Sequence, residues 1–294
     1  MFRTGASSLR IAGRFTRSLA THTNTSTTGV TSATTRHDWT KKEIRAIYDA
    51  PLLDLVFRSA AVHRQHHDPT KIQLCTLMNI KTGGCSEDCS YCSQSSRYST
   101  PTKASKLVDI EPVLQAARKA KENGSTRFCM GAAWRDLAGR KRGFEKILTM
   151  VREVITTRSY DERLDTISAV RDAGISVCSG GILGLGESDE DRVSLIWEVS
   201  SMPEHPESFP VNALVPIEGT PLAGNEPVQY HTLLRTIATA RIVLPTSIIR
   251  LAAGRQELDE AKQAMCFMAG ANAVFTGDAM LTTPCMTLSF FLDC

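Results

Sequence analysis

Lys81-Thr-Gly-Gly-Cys-Ser-Glu-Asp-Cys-Ser-Tyr-Cys92 follows directly on an apolar run, Ile72-Gln-Leu-Cys-Thr-Leu-Met-Asn-Ile80. The run is the right length for a buried strand and too short for a typical helix. A loop leaving such a strand with Cys85, Cys89 and Cys92 can grip one inorganic cluster. Three thiolates hold three irons of a [4Fe–4S] cube and leave the fourth iron for another ligand. S-adenosylmethionine, which carries an amine and a carboxylate beside a sulfonium, suits that open corner. A structural zinc site is the competing reading. It would need a fourth ligand, with Cys75 as the candidate, and zinc modules usually show paired Cys-x-x-Cys units, of which there is no second here. Three unrelated thiols is the plainest alternative. The position after a buried strand, with Tyr91 between two of the thiols, favours the open cluster.

Outward from this loop the chain alternates strands and helices. Strand-like runs are Thr126–Ala132, Ile175–Ile182, Pro210–Pro216, Ser247–Ala253 and Ala271–Phe275. Helical runs are Glu111–Asn123, Phe144–Val154, Tyr160–Ala173, Glu190–Ser200, Tyr230–Val243 and Leu258–Ala269, with 40–67 helical upstream and Pro51 placed to open a helix. Gly124 and Gly174 are placed as helix stops. Buried, non-alternating strands separated by helices indicate an α/β fold with a parallel sheet. In a barrel of that kind ligands gather at the C-terminal ends of the strands. The count is six strands, and between the runs holding Cys129 and Cys178 there are two helices and no strand. A parallel sheet needs a strand on each side of a crossover, so a barrel built from this chain is expected to be open there.

Residues 1–37 hold five arginines, fifteen Ser or Thr, and no Asp or Glu. That is the composition of an organellar transit peptide; a disordered basic tail is the alternative. Of 34 basic and 31 acidic residues in the chain, 29 and 31 lie beyond this segment, net −2. A body without basic excess argues against nucleic-acid binding, and no apolar stretch is long enough to span a membrane. The nine cysteines are an odd number in a long chain without an export signal, so they read as metal ligands or free thiols in a reducing compartment such as the mitochondrial matrix.

Other features were weighed the same way. His63, His66 and His67 read as a polar helix end, because no Cys or acid stands at ligand spacing. Gly180-Gly-Ile-Leu-Gly-Leu-Gly-Glu187 has the wrong glycine spacing for a dinucleotide fingerprint; its glycines suit a tight turn or close backbone approach to an adenine. Cys129, Cys178 and Arg250 lie on separate strands. A strand cysteine alone is usually a small hydrophobe, while two thiols converging with an arginine could hold a second cluster.

These residues together resemble the biotin synthase family of radical S-adenosylmethionine enzymes. The resemblance is carried by Pro51-Leu-Leu-Asp-Leu-Val-Phe57, Val62-His-Arg-Gln-His66, Lys81–Tyr98, Gly124-Ser-Thr-Arg-Phe-Cys-Met-Gly-Ala-Ala-Trp134, Ile155-Thr-Thr-Arg-Ser-Tyr-Asp-Glu-Arg-Leu-Asp165, Ala173-Gly-Ile-Ser-Val-Cys-Ser-Gly-Gly-Ile182 and Met265-Cys-Phe-Met-Ala-Gly-Ala271. It implies a (β/α)8 TIM-type barrel and a sulfurtransferase that converts dethiobiotin to biotin, the last step of biotin biosynthesis. Cys85, Cys89 and Cys92 would hold the [4Fe–4S] cluster, with Tyr91, Arg163 and Ile182 around S-adenosylmethionine and Arg163 meeting its carboxylate. Cys129, Cys178 and Arg250 would be ligands of a sulfur-donating [2Fe–2S] cluster, and Asn212 would lie by the substrate. The resemblance further implies a homodimer, a ferredoxin- or flavodoxin-type electron donor and help from the iron–sulfur assembly machinery.

The chain departs from the family pattern in two places. The family's additional cysteine between the positions of Cys129 and Cys178 is missing, as is its Asn-His-Asn-Leu-Asp stretch; Val151-Arg-Glu-Val154 runs straight into Ile155. A strand–helix–strand block deleted near Val154/Ile155 accounts for both. Residues 285–294 do not continue the family's polar pattern and read as an aberrant tail. The domain expectation is therefore a transit segment over 1–37, an incomplete barrel over 38–284, and the tail. Sulfur insertion is expected to be poor or absent. Two alternatives are an enzyme that cleaves S-adenosylmethionine without moving sulfur, and a non-catalytic, zinc-holding or partner-binding barrel fragment. Lipoyl synthase is disfavoured because its second cysteine triplet is missing.

Overall fold

The computed structural model of the chain describes residues 35–134 and 176–277, a few positions between 167 and 174, and the pairs 279–280 and 283–284. The chain enters through α1 (Lys41–Tyr48), whose Thr40 and Glu43 cap each other's backbone in a capping box. Ile44, Ile47 and Tyr48 are the buried face of α1, at the helical spacing that points them one way. α2 (Leu52–His66) follows, with Pro51 one residue earlier than the sequence suggested, at the N-cap. Arg36 and His37 belong with this body. Arg36 pairs with Asp38 and Glu43 at 2.7 Å each, and His37 Nδ1 lies 2.8 Å from the carbonyl oxygen of Met202.

Next come β1 (Gln73–Lys81), α3 (Ile110–Glu122), β2 (Arg127–Ala132), β3 (Gly181–Leu183), α4 (Asp189–Ser200), β4 (Ser208–Ala213), α5 (Tyr230–Val243), β5 (Ile248–Leu251), α6 (Glu260–Met268) and β6 (Ala273–Thr276). A small antiparallel pair, β7 (Ala279–Met280) and β8 (Thr283–Pro284), closes the described chain. Gly124 does end α3, at φ 83°. The expected helices Phe144–Val154 and Tyr160–Ala173 fall wholly or mostly outside the described residues.

β1 to β6 form one parallel sheet in the order β2-β1-β6-β5-β4-β3. β1 pairs with both β2 and β6, so the sheet curls from last strand back to first as a barrel does. It does not close among the described residues. Among the described residues six strands of this sheet stand where the resemblance implies eight, and its two edges are β2 and β3, the strands that flank the expected deletion. β3 is shorter than the Ile175–Ile182 run suggested. At an edge with one neighbour, only Gly181–Leu183 complete a ladder with β4, and Cys178 makes an isolated bridge to Ser208.

The core lies on the β3–β6 side. Val193, Ile196 and Val199 of α4, Leu233, Leu234 and Ile237 of α5, and Phe209, Val211, Ile249, Leu251 and Val274 of the strands form one buried cluster. On the β1–β2 side the separate apolar cluster has just two buried members, Ile80 and Val113, and β2 has no buried residue. Arg241 of α5 ties the bottom of the sheet. It is fully buried and donates to the carbonyl oxygens of Gly270 (3.0 Å), Pro245 (2.8 Å) and Ser247 (2.8 Å) and to Asn272 Oδ1 (3.1 Å). Burial lowers it to about 9, so it stays charged at neutral pH. Among the described residues no helix is long and apolar enough to cross a membrane.

Candidate functional site

The cysteine loop leaves the C-terminal end of β1 through Gly83 and Gly84, both left-handed at φ 64° and 65°. A side chain on Gly83 would meet Ala104 Cα at 2.8 Å, so this turn requires glycine. The loop is then stitched to itself. Cys85 N–H donates to Gln94 O (2.9 Å), Ser96 N–H to Cys85 O (2.7 Å) and Cys92 N–H to Cys89 O (2.9 Å). Thr100 and Thr102 hydroxyls donate to Ser93 O (2.6 Å) and Ser93 Oγ (2.9 Å), and the Ser95 and Tyr98 hydroxyls donate to the Glu87 and Asp88 carbonyl oxygens. Lys81 Nζ bridges to Ala133 O at 3.0 Å, anchoring the loop to the end of β2. Leu222 N–H donates to Ser90 O at 3.2 Å, so the segment after β4 closes on the loop as well.

Cys85, Cys89 and Cys92 are all half-buried. Burial pushes the Cys92 thiol up, and negative charge on Cys89 and Cys85 pushes it further. Thiolates gathered in one loop repel one another, so holding three together needs positive charge among them. Among the described residues no three His, Cys, Asp or Glu side chains are gathered closely enough for a single metal ion. A cube spreads its thiolates over different irons, so it does not ask for that spacing. Tyr91 lies half-buried within the loop. Arg163 lies outside the described residues.

The Gly-rich turn after β3 is occupied by its own chain. Glu187 accepts from Gly184 N–H at 3.0 Å and Leu185 N–H at 2.8 Å, and pairs with Arg192 at 2.8 Å. Gly180 lets β4 approach, since a side chain there would meet Pro210 O at 2.1 Å. Of the two roles expected of these glycines the structure displays the tight turn, and Gly180 adds a close approach between strands. Ile182 on β3 stands level with Asn212 on β4. Asn212 already spends both ends of its amide on backbone, donating to Gly181 O (2.9 Å) and accepting from Ala253 N–H (3.2 Å).

Cys129 on β2 meets a thiol that sequence reasoning had assigned elsewhere. Cys75, considered above as a fourth zinc ligand for the loop, lies instead with its Sγ 3.3 Å from Cys129 Sγ. Only the β1–β2 register reveals this neighbour. Cys129 is held down, first by the hydrogen bond from Cys75 and then by the Arg127 and Arg250 charges, while Cys75 is pushed up by sharing its proton and by burial. Arg250 on β5 is fully buried. It donates to Gln73 Oε1 at 2.7 Å and Val274 O at 3.3 Å, its guanidinium lies 4.9 Å from the Phe275 ring centre, and its Nε has no partner. Cys178 is exposed. Burial lowers Arg250, and negative charge on Cys75, Cys178 and Cys129 opposes this, with Arg127 adding to the lowering.

His63 and His67 hold no metal-binding acid or thiol; they pack by Arg241, and burial, then the Arg241 charge, lowers each to about 4. Cys266, raised to about 12 by burial, is a core thiol on α6.

The profile of the Biotin and Thiamin Synthesis associated domain matches residues 210–293. The mitochondrial biotin synthase of Emericella nidulans is 56% identical over 87% of this chain and 76% of its own length. The mitochondrial biotin synthase of Arabidopsis thaliana is 50% identical over 85% of this chain and 78% of its own. The Emericella alignment runs over 300 positions, whereas 87% of this 294-residue chain is about 256, so some forty positions of that relative face no residue here. Among solved structures, methylornithine synthase superposes with a TM-score of 0.65 at 17% identity, covering 80% of this chain and 82% of that one, a likeness of fold alone. By the identity and extent of these matches, the chain belongs to the biotin synthase family.

Proposed function

We propose that this chain is a mitochondrial-matrix radical S-adenosylmethionine enzyme acting on dethiobiotin, with sulfur insertion slower than in its full-length relatives. The observation that carries the proposal is the loop after β1: three half-buried thiols in a segment braced by backbone hydrogen bonds at Cys85, Cys92 and Ser96. That donor set fits a [4Fe–4S] cube with one open corner. When bound, the cube and S-adenosylmethionine supply a 5′-deoxyadenosyl radical that removes hydrogen from dethiobiotin, and a second cluster supplies the sulfur.

The protein's own work is positioning and exclusion of water. Cys85, Cys89 and Cys92 would hold the cube, giving up their protons as they ligate it. Tyr91, Ile182 and Arg163 are assigned to S-adenosylmethionine, Arg163 to its carboxylate. Asn212 holds the tops of β3, β4 and β5 together, so its contribution to substrate binding comes through the shape of that rim. Arg250 brings a buried positive charge to the thiols of the second site. Among the described residues the sheet is open between β2 and β3, which leaves that second site less enclosed and is the physical reason for slow sulfur transfer. A homodimer, a small ferredoxin- or flavodoxin-type reductant and delivery of clusters by assembly proteins complete the reading.

The test is anaerobic reconstitution, reduction, and turnover with S-adenosylmethionine and dethiobiotin. The expected result is 5′-deoxyadenosine with little biotin; biotin formation matching that of the Emericella enzyme would refute impairment, and no 5′-deoxyadenosine would refute the radical chemistry. Cleavage with no biotin at all would favour a chain that moves no sulfur. That second reading is favoured by the absence of any cysteine between Cys129 and Cys178.

A further inference from the structure

The family pattern asks for three cysteines and an arginine at the sulfur-donor cluster, and the stretch between Cys129 and Cys178 supplies no cysteine. A substitute stands beside the gap. Cys75 and Cys129 lie on neighbouring parallel strands, where Cys75 is level with Arg127 and Leu77 with Cys129. Residues two apart along a strand share a face, so both thiols project to one side, and their sulfurs are 3.3 Å apart. Two thiolates on one tetrahedral metal, with bonds of about 2.3 Å, stand about 3.8 Å apart. The pair therefore needs to open by only about half an ångström to share an iron, whereas a disulfide would need it to close to about 2 Å.

The remaining groups face the same place. Arg250 is fully buried with its Nε unpartnered, an unmet donor where a ligand would sit. Gln73, Ala273, Arg250 and Pro210 stand level across β1, β6, β5 and β4, and Arg250 donates to Gln73, two residues before Cys75 on the same face. Cys178 bridges to Ser208, two residues before Pro210, so by register the three thiols and the guanidinium share one face of the sheet.

We infer that Cys75 replaces the missing family cysteine, taking one iron of a [2Fe–2S] cluster together with Cys129 while Cys178 and Arg250 hold the other. This rests on the two-cluster reading of the proposed function. Ligation is a substitution without electron transfer: each thiol releases its proton to solvent and gives a sulfur lone pair to iron, with iron and sulfide supplied as such.

The experiment removes the first site. The variant Cys85→Ala/Cys89→Ala/Cys92→Ala is reconstituted anaerobically with iron and sulfide, then assayed for iron, acid-labile sulfide and its Mössbauer spectrum. The expected result is about two irons and about two sulfides per chain with a [2Fe–2S] signature. Adding Cys75→Ser lowers bound iron at least about tenfold; adding Cys266→Ser, a core thiol elsewhere, leaves it unchanged. In the otherwise intact chain, Cys75→Ser alone removes about two irons and keeps about four. A full [2Fe–2S] complement with Cys75→Ser overturns the inference and leaves the two-cluster reading standing. No cluster in the triple variant, in a chain that holds the first cluster when Cys85, Cys89 and Cys92 are present, overturns both. Loss of both clusters in the single Cys75→Ser chain also overturns it, because Cys75 would then be a folding residue.

Discussion

Cys85, Cys89 and Cys92 come from one loop, whereas Cys75, Cys129, Cys178 and Arg250 come from β1, β2, the approach to β3, and β5. The loop thiols are placed by hydrogen bonds within a few residues of themselves. The strand thiols are placed by sheet register, and Cys129 and Cys178 belong to the two open edges. The block deletion expected between β2 and β3 would therefore leave the first arrangement whole and change the second. Local bracing tolerates damage to the sheet, and convergence across strands does not.

The sharpest break in this comparison is catalytic. Cys89→Ala should lower reductive cleavage of S-adenosylmethionine more than about 100-fold, beyond what loss of an outer partner costs. Cys178→Ala should leave cleavage within about threefold, as expected of a distant site. Quantifying 5′-deoxyadenosine after chemical reduction checks both, and equal losses would erase the distinction between the sites.

A scaffold substitution should behave in the opposite way. Asn272 Oδ1 accepts from Ile249 N–H at 2.9 Å and from Arg241 at 3.1 Å, and it is buried. Asn272→Ala strands both donors and should cost about 2–4 kcal/mol in urea unfolding, with iron content at the loop unchanged in native buffer. Gly83→Ala should cost less, about 1–3 kcal/mol for a left-handed residue pressed on backbone, yet it should speed iron loss to a chelator because it moves the loop itself.

The loop was legible in the sequence because its thiols, its glycines and its preceding strand are contiguous. The parallel α/β class was legible too, since runs such as Tyr230–Val243 carry their period and limits within themselves. The Cys75–Cys129 pair was not, because it depends on which residue of β1 stands level with which residue of β2. The shortness of β3 was hidden as well, because a run rich in small apolar residues does not announce that only Gly181–Leu183 pair with β4. Glu187 filling the glycine turn depended on backbone amides that no spacing rule describes.

The smallest effect concerns pH. His63 and His67 sit at about 4 when folded, against 6.5 when free. The unfolded chain thus takes up protons first, so their contribution is intact above about pH 6.5 and is lost as pH falls toward 4. Urea midpoints should decline over that window, and His67→Gln should flatten the decline modestly without altering cluster content at neutral pH.

The most direct test is Mössbauer spectroscopy of the chain reconstituted with ⁵⁷Fe, before and after S-adenosylmethionine is added. The account predicts a [4Fe–4S] signal in which one iron of about four changes its parameters on addition, and loss of that signal in Cys85→Ala. Irons that ignore S-adenosylmethionine, or bound zinc without sulfide, would contradict it.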